Sequence, residues 1–104
     1  MDTFDDRKKG FEAKYMQDQN AQFKVRALRN KLVGKWAASL VQPANEEDYI
    51  KEVRISDLEK PGDDDIIDKL LSDFNSKNIT VSRDEIIKKI NDCEKLAINE
   101  ITKI

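Results

Sequence analysis

The first proline of the chain is Pro43, and no Gly-Pro pair precedes it. Because proline and glycine are the residues that most often end a helix, the sequence up to Val41 predicts one long helical tract. The second half of this tract is typical of a helix that packs in a core, because its apolar residues fall at helical spacing. They are Val25, Leu28, Leu32, Trp36 and Leu40, with Val33 and Ala37 beside them.

The first half of the tract carries few apolar residues among nearly continuous charge. Phe11 lies seven residues after Phe4 and four before Tyr15, so the three rings line one face of a helix. Gly10 costs this helix about 1 kcal/mol relative to alanine, and an isolated helix of this length is marginal in water. We therefore expect residues 1–20 to form an arm that is flexible when free and helical when bound in a partner's groove. The alternative is an arm folded back onto the domain of residues 21–104.

Three further helices are predicted from the signals that start and stop them. Pro43 ends the first helix and Asn45 is a predicted N-cap of the second. Pro61-Gly62 precedes the third helix, and Ser82 with Glu85 forms a capping box for the fourth. Each helix has one apolar face: Tyr49, Ile50 and Val53; Ile66, Ile67, Leu70, Leu71 and Phe74; Ile86, Ile90, Cys93 and Ala97. The sequence predicts an all-α fold, a small four-helix bundle with an N-terminal arm.

The connector between the third and fourth helices has its own signals. Residues 75–78 are predicted to form a turn in which Asn78 takes the left-handed conformation. Ile79 and Val81 are predicted to hold the connector against the core.

The composition offers little material for a catalytic site. Histidine is absent, and the sequence has neither a glycine-rich phosphate loop nor a cysteine pair for zinc. The single Cys93 lies on an apolar helix face, which favours a buried thiol in a reducing compartment. The acidic run at residues 63–65 lacks the spacing of a calcium loop and suits the start of a helix. We expect no enzymatic activity, no metal and no resident cofactor.

The charge pattern restricts the partners. A net charge of -2 argues against a dedicated nucleic-acid binder, and no segment is long and apolar enough for membrane insertion or for a signal peptide. We expect a cytoplasmic protein that is a monomer when free. Residues 24–35 nevertheless contain five basic residues and no acidic one: Lys24, Arg26, Arg29, Lys31 and Lys35. This surface either pairs with the acidic starts of the second and third helices or docks an acidic partner or phosphate groups. RNA binding is a weaker third option.

Several separated runs of the sequence also match one family. They are Thr3-Phe4-Asp5-Asp6-Arg7, Phe11-Glu12-Ala13-Lys14, Arg29-Asn30-Lys31-Leu32, Gly34, Trp36-Ala37-Ala38, Pro61-Gly62-Asp63 and Val81-Ser82. In this pattern the chain resembles the zeta subunit of the alphaproteobacterial F-type ATP synthase over essentially its whole length.

The resemblance implies a four-helix regulatory protein that inhibits ATP hydrolysis by the synthase. The arm would insert as a helix into a catalytic interface between the alpha and beta subunits and reach the gamma subunit of the rotor. It would block rotation in the hydrolytic direction and permit synthesis, as the mitochondrial ATPase inhibitor protein does. The protein would then lie at the periphery of the inner membrane through the synthase. Weak contact with adenine nucleotide is a further implication, for which no residue here identifies a site.

The same resemblance implies roles for particular residues. The inhibitory contacts would be Phe4, Asp5, Asp6, Arg7, Phe11, Glu12, Lys14 and Tyr15. Arg29, Asn30 and Trp36 would orient and support the arm. The sequence departs from the family at Gly10, where a helix former such as alanine is usual, and at Gln17, Gln19 and Asn20, in a region that often bears histidine and glutamate. We therefore expect weak inhibition. The competing hypothesis is a helical sensor or adaptor that binds adenine nucleotide.

Overall fold

The structure is a computed structural model that describes residues 19–57 and 62–102. Four helices lie in these ranges: α1, Gln19–Val41; α2, Glu46–Ser56; α3, Asp64–Ser76; and α4, Arg83–Ile101. The described residues contain no strand, so the prediction of an all-α four-helix protein is confirmed. None of the described helices combines the length and the apolar character needed to cross a membrane. Residues 1–18 of the predicted arm lie outside the described residues, and its last two, Gln19 and Asn20, belong to α1.

Helix α1 is the central element, since it packs against α2, α3 and α4. Its most buried line runs through residues four apart: Val25, Arg29, Val33, Ala37 and Val41. The predicted stripe is therefore wrong in part, because Leu28, Leu32 and Trp36 are only half-buried and Leu40 is 38% exposed. Because α1 has neighbouring helices on more than one side, the residues that face all of them are the most buried, and most of these are small. The larger side chains lie at the sides of this buried line.

Helices α1 and α2 approach each other closely at Gly34. A Cβ atom at this position would lie 3.2 Å from both the Cα and the Cγ2 atoms of Ile50. Such a distance is tighter than ordinary van der Waals contact, so the glycine allows the two helices to pack this closely.

The faces predicted for α2, α3 and α4 are confirmed. The buried residues are Tyr49, Ile50 and Val53 in α2, Ile66, Ile67, Leu70 and Phe74 in α3, and Ile86, Ile90, Cys93 and Ala97 in α4. Leu71, Ile79 and Val81 are partly buried and pack against the same core. Burial raises the pKa of the Cys93 thiol, as expected for a thiol among apolar neighbours.

The helix ends show the capping predicted from sequence. The side chains of Asn45 and Ser82 accept hydrogen bonds from the backbone N–H groups of Asp48 and Glu85, each at 3.1 Å. Helix α3 continues to Ser76, two residues further than the predicted turn allowed.

Asn78 closes α3 in the left-handed conformation, with φ of 57°. The N–H of Ile79 donates to the carbonyl of Phe74 at 2.8 Å, and that of Asn78 donates to the carbonyl of Asn75 at 3.2 Å. These two bonds form a Schellman motif, which satisfies carbonyl groups at the helix end and directs Ile79 onto the core.

A buried polar network near the start of helix α1

Three polar side chains are buried in the described residues. Arg29 and Asn30 of α1 are 5% and 3% exposed, and Asp57, which follows α2, is 2% exposed. Burial of charge is costly unless the groups are paired and hydrogen-bonded to one another, so these residues must be considered as one unit.

Asp57 is the centre of this unit. Its Oδ2 atom accepts hydrogen bonds from Arg26 Nε at 2.5 Å and Asn30 Nδ2 at 2.7 Å, with Arg29 Nη2 at 3.4 Å. Asp57 lies at the C-terminal end of α2, where the helix dipole disfavours negative charge. The two arginines of α1 are therefore what allows a carboxylate to be buried at this point. Its Oδ1 atom has no hydrogen-bond partner among the described residues.

Arg29 extends the contacts to the other two helices. Its guanidinium donates to Asn30 Oδ1 at 2.9 and 3.0 Å, and its Nη2 atom lies 2.9 Å from Asp63 Oδ1. Asp63 is the N-cap residue of α3, yet its side chain makes no capping hydrogen bond and pairs with Arg29 instead. The Nη1 atom of Arg29 also lies 3.9 Å from Glu94 Oε1 on α4. One side chain of α1 thus contacts groups from all three other helices or their ends.

Arg26 closes the outer side of this unit. Its Nη2 atom donates to the carbonyl of Gly62 at 3.3 Å, next to the start of α3. The hydrogen bond to Asp57 is the largest cause that raises the pKa of Arg26 above its ordinary value. The guanidinium is therefore charged at every pH at which the protein is folded.

We call Arg26, Arg29, Asn30, Asp57 and Asp63 the root network, since it lies where α1 begins its path through the bundle. The network can fix the direction of α1 through charge-assisted hydrogen bonds, which are stronger and more directional than neutral ones. Its groups are engaged with one another and offer no nucleophile paired with a base. No group of three or more His, Cys, Asp or Glu side chains within the described ranges could hold a metal ion.

Trp36, the third residue expected to support the arm, lies outside the root network. Its ring packs edge-to-face on Phe74 of α3, with the centroids 5.5 Å apart and an interplanar angle of 79°. The ammonium of Lys89 lies 5.8 Å from the centre of the same ring. Trp36 therefore secures α1 to α3 and α4 through aromatic and cation–π contacts.

The structure places only part of the predicted site. The expected inhibitory contacts, Phe4, Asp5, Asp6, Arg7, Phe11, Glu12, Lys14 and Tyr15, all lie outside the described residues. Arg29 and Asn30 are brought together, whereas Trp36 contributes elsewhere on α1. The sequence did not predict the roles of Asp57 and Glu94, whereas the pairing of Arg29 with Asp63 agrees with one of the two interpretations of the basic run. The one signal for Asp57 in the sequence is its position at the C-terminal end of a helix, where the helix dipole disfavours a carboxylate unless a cation lies nearby.

The five basic residues of α1 divide between pairing inside the molecule and remaining available to an acidic partner or phosphate groups. Arg26 and Arg29 pair within the molecule, with Asp57 and with Asp63 at the start of α3. Lys24, Lys31 and Lys35 are exposed and form no ion pair with any residue that the structure describes.

Comparison with known proteins gives the family. The family model described as ATPase inhibitor subunit zeta matches residues 1–100, which include the predicted arm, the root network and α4 up to Glu100. A comparison with curated proteins found no match. Because the family model covers nearly the whole chain, this protein belongs to the ATPase inhibitor subunit zeta family.

Proposed function

We propose that this protein is a regulatory inhibitor of an F-type ATP synthase that blocks ATP hydrolysis by inserting its N-terminal arm into a catalytic interface. The arm, residues 1–20, becomes a helix between an alpha and a beta subunit and meets the gamma subunit of the rotor. The observation that carries the proposal is the family match, which names an ATPase inhibitor subunit and extends over the arm.

The root network supports this mechanism from the side of the bundle. A helix that stops a rotor must resist displacement, and the arm leads directly into α1 in the sequence. Arg29 pairs with Asp63 and lies near Glu94, while Arg26 and Asn30 hold Asp57. A load applied to the start of α1 is therefore shared with α2, α3 and α4.

The arm residues have chemically distinct roles in this proposal. Phe4, Phe11 and Tyr15 are the apolar anchors of one helix face and supply most of the affinity. Asp5, Asp6, Arg7, Glu12 and Lys14 pair with charges of the interface and set the register.

The test is deletion of the arm. The full chain should lower ATP hydrolysis by the cognate synthase, and a variant without residues 1–18 should have no effect. Thermal unfolding followed by circular dichroism serves as the control, because the root network and the buried core lie within the described residues and should remain. Equal inhibition by the shortened chain would show that the arm is not the inhibitory element.

A second measurement separates this function from that of a nucleotide sensor. ATP and ADP are titrated into the free protein while binding is followed by calorimetry. Saturable binding at cellular concentrations, together with no effect on the synthase, would favour the sensor.

A further inference from the structure

Three lysines of α1 form one exposed stripe. Lys31 follows Lys24 by seven residues and Lys35 follows Lys31 by four, so the three side chains lie on the same side of the helix. They span about 16 Å along the helix axis, at 1.5 Å per residue. None of them makes an ion pair within residues 19–57 and 62–102.

A fourth cation from α2 joins this stripe. Arg54 forms no ion pair with a described residue either. It lines a shallow groove between α1 and α2, whose other lining residues are Lys31, Lys35, Glu46, Glu47 and Ile50. It also lines the adjoining depression formed by Phe23, Arg26, Ala27 and Asn30. The two depressions therefore share Arg54 as a lining residue and lie on neighbouring parts of the surface.

Phe23 gives this surface an apolar end. Its side chain is 70% exposed, the most among the large hydrophobic residues exposed in the described part of the chain. We define the α1–α2 groove by Lys24, Lys31, Lys35, Arg54 and Phe23. The four cations form no ion pair with a described residue and outnumber the two carboxylates of Glu46 and Glu47 that line the groove, so the surface keeps an excess of positive charge on a chain whose net charge is -2. The exposed ring of Phe23 adds apolar contact area beside them.

We propose that the α1–α2 groove docks an acidic segment of the inhibited ATPase, one that carries several carboxylates and an apolar side chain at one end. This inference rests on the proposed function and adds a second contact surface, on the bundle, to that of the arm. The cations would pair with the carboxylates, and the apolar side chain would cover Phe23.

The arrangement of charge favours a protein segment over the other anions that cations attract. A row of about 16 Å is too long for a single phosphate group and matches about three turns of a helix. Glu46 and Glu47 line the groove at the start of α2 and would repel a continuous nucleic-acid backbone there. A protein segment avoids this repulsion by carrying a neutral or basic residue at that end.

The experiment compares two double substitutions that change the net charge equally. Lys31→Glu with Lys35→Glu alters the groove, whereas Lys77→Glu with Lys95→Glu alters exposed lysines after α3 and on α4. Inhibition of ATP hydrolysis is measured for each at several salt concentrations. The groove variant should need about tenfold more protein for half-inhibition, and the control variant about as much as the original chain. Added salt should weaken the original chain more than the groove variant, since screening acts on the pairs that the variant has lost.

Phe23→Ala is an additional variant that changes no charge. Because this side chain is mostly exposed, its removal should leave the thermal unfolding midpoint nearly unchanged and raise the half-inhibition concentration several-fold. Its salt dependence should equal that of the original chain.

The possible results of these inhibition assays separate a failure of the groove proposal from a failure of the proposed function. If the groove and control variants inhibit equally, the groove is not a docking surface, while the arm mechanism stands. If the original chain does not inhibit the synthase, the proposed function and this inference both fail. If the groove variant inhibits normally but loses binding to a single-stranded RNA oligonucleotide, the surface belongs to nucleic acid and the inference is overturned.

Discussion

Gln42 ends α1 in a conformation that favours glycine. Its φ is 54°, and its N–H donates to the carbonyl of Ala38 at 2.8 Å, which forms an αL cap. We expect Gln42→Gly to raise the free energy of unfolding by about 1 kcal/mol, because glycine has no Cβ to clash in this region. Urea denaturation measures the change. Asn78→Gly, at φ 57°, is the matched control and should gain less, since asparagine tolerates the left-handed region. A loss of stability in Gln42→Gly would contradict this explanation.

Tyr49 gives stability a dependence on alkaline pH. Burial, with a hydrogen bond that its hydroxyl donates to Asp73 Oδ2 at 2.7 Å, raises the pKa of Tyr49 far above its ordinary value. The unfolded phenol ionises near pH ~10, whereas the folded one stays neutral there. Stability from this group is therefore complete below pH ~10 and falls as the pH rises further, because the unfolded chain then releases a proton that the folded chain retains.

The measurement uses a Tyr15→Phe background, in which Tyr49 is the one remaining tyrosine. Phenolate absorbance should then appear only together with the loss of helical circular dichroism. Tyr49→Phe should weaken the decline of the urea midpoint above pH ~10. Ionisation of Tyr49 near pH ~10 without unfolding would refute the assignment.

At the scale of single residues, local signals were predictable and distant ones were not. Asn45, Asn78 and Ser82 cap helices through groups within a few positions, so their roles follow from adjacent sequence. Asp57 depends on Asn30 and Arg26, which precede it by 27 and 31 residues. The periodicity of apolar residues along the sequence does not relate positions this far apart, which come together only when the helices pack.

At the scale of helices, the apolar spacing predicted the buried residues well where a helix packs through one face and less well where it packs through several. Helices α2, α3 and α4 present one apolar face each to the core, and those faces match the predicted residues. Helix α1 has neighbours on several sides, so small residues such as Ala37 and polar ones such as Arg29 occupy its centre. Leu40 has the helical spacing of the predicted stripe, four residues after Trp36, yet its side chain is exposed.

Gly34→Ala tests how closely α1 and α2 are packed. Alanine improves helix propensity by about 1 kcal/mol, but its Cβ would lie 3.2 Å from the backbone Cα of Ile50. Because the backbone of Ile50 cannot rotate away as a side chain can, we expect Gly34→Ala to lower the free energy of unfolding by about 1 kcal/mol or more. Urea denaturation measures it. A stabilised Gly34→Ala variant would show that the two helices separate easily.

Gly10→Ala is the corresponding substitution in the arm, outside the described residues. If the arm binds as a helix, alanine should strengthen inhibition about fivefold, since about 1 kcal/mol of propensity is recovered on binding. The half-inhibition concentration measures the change. Unchanged potency would mean that helix formation in the arm does not limit binding.

At the scale of the whole molecule, the root network joins α1 to the end of α2 and to the start of α3, so its loss should lower the stability of the whole bundle. Asp57→Ala removes the acceptor of Arg26 and Asn30 and one of the carboxylates beside the buried guanidinium of Arg29, and we expect a loss of about 3 kcal/mol in the free energy of unfolding. Asp68→Ala is the control, because its ion pair with Arg83 is exposed and should contribute little. Thermal unfolding of both variants measures the difference, and equal midpoints would contradict the importance of the network.

The bundle as a whole could be predicted because its four helices are separated by strong stop signals. The family resemblance was predictable because its motifs are spread along the chain, and the match to residues 1–100 confirms it. The root network could not be predicted in the same way. It is assembled from α1, the end of α2 and the start of α3, and only the packed bundle brings these together.

The position of Trp36 provides the protein with an internal fluorophore. It is the single tryptophan of the chain, held against Phe74 and beneath Lys89, at a distance along α1 from the root network. Its emission should therefore change when the bundle opens and stay constant when a ligand engages only the arm. Unfolding of the bundle can then be followed whether or not the arm is bound, without a label that would disturb either surface.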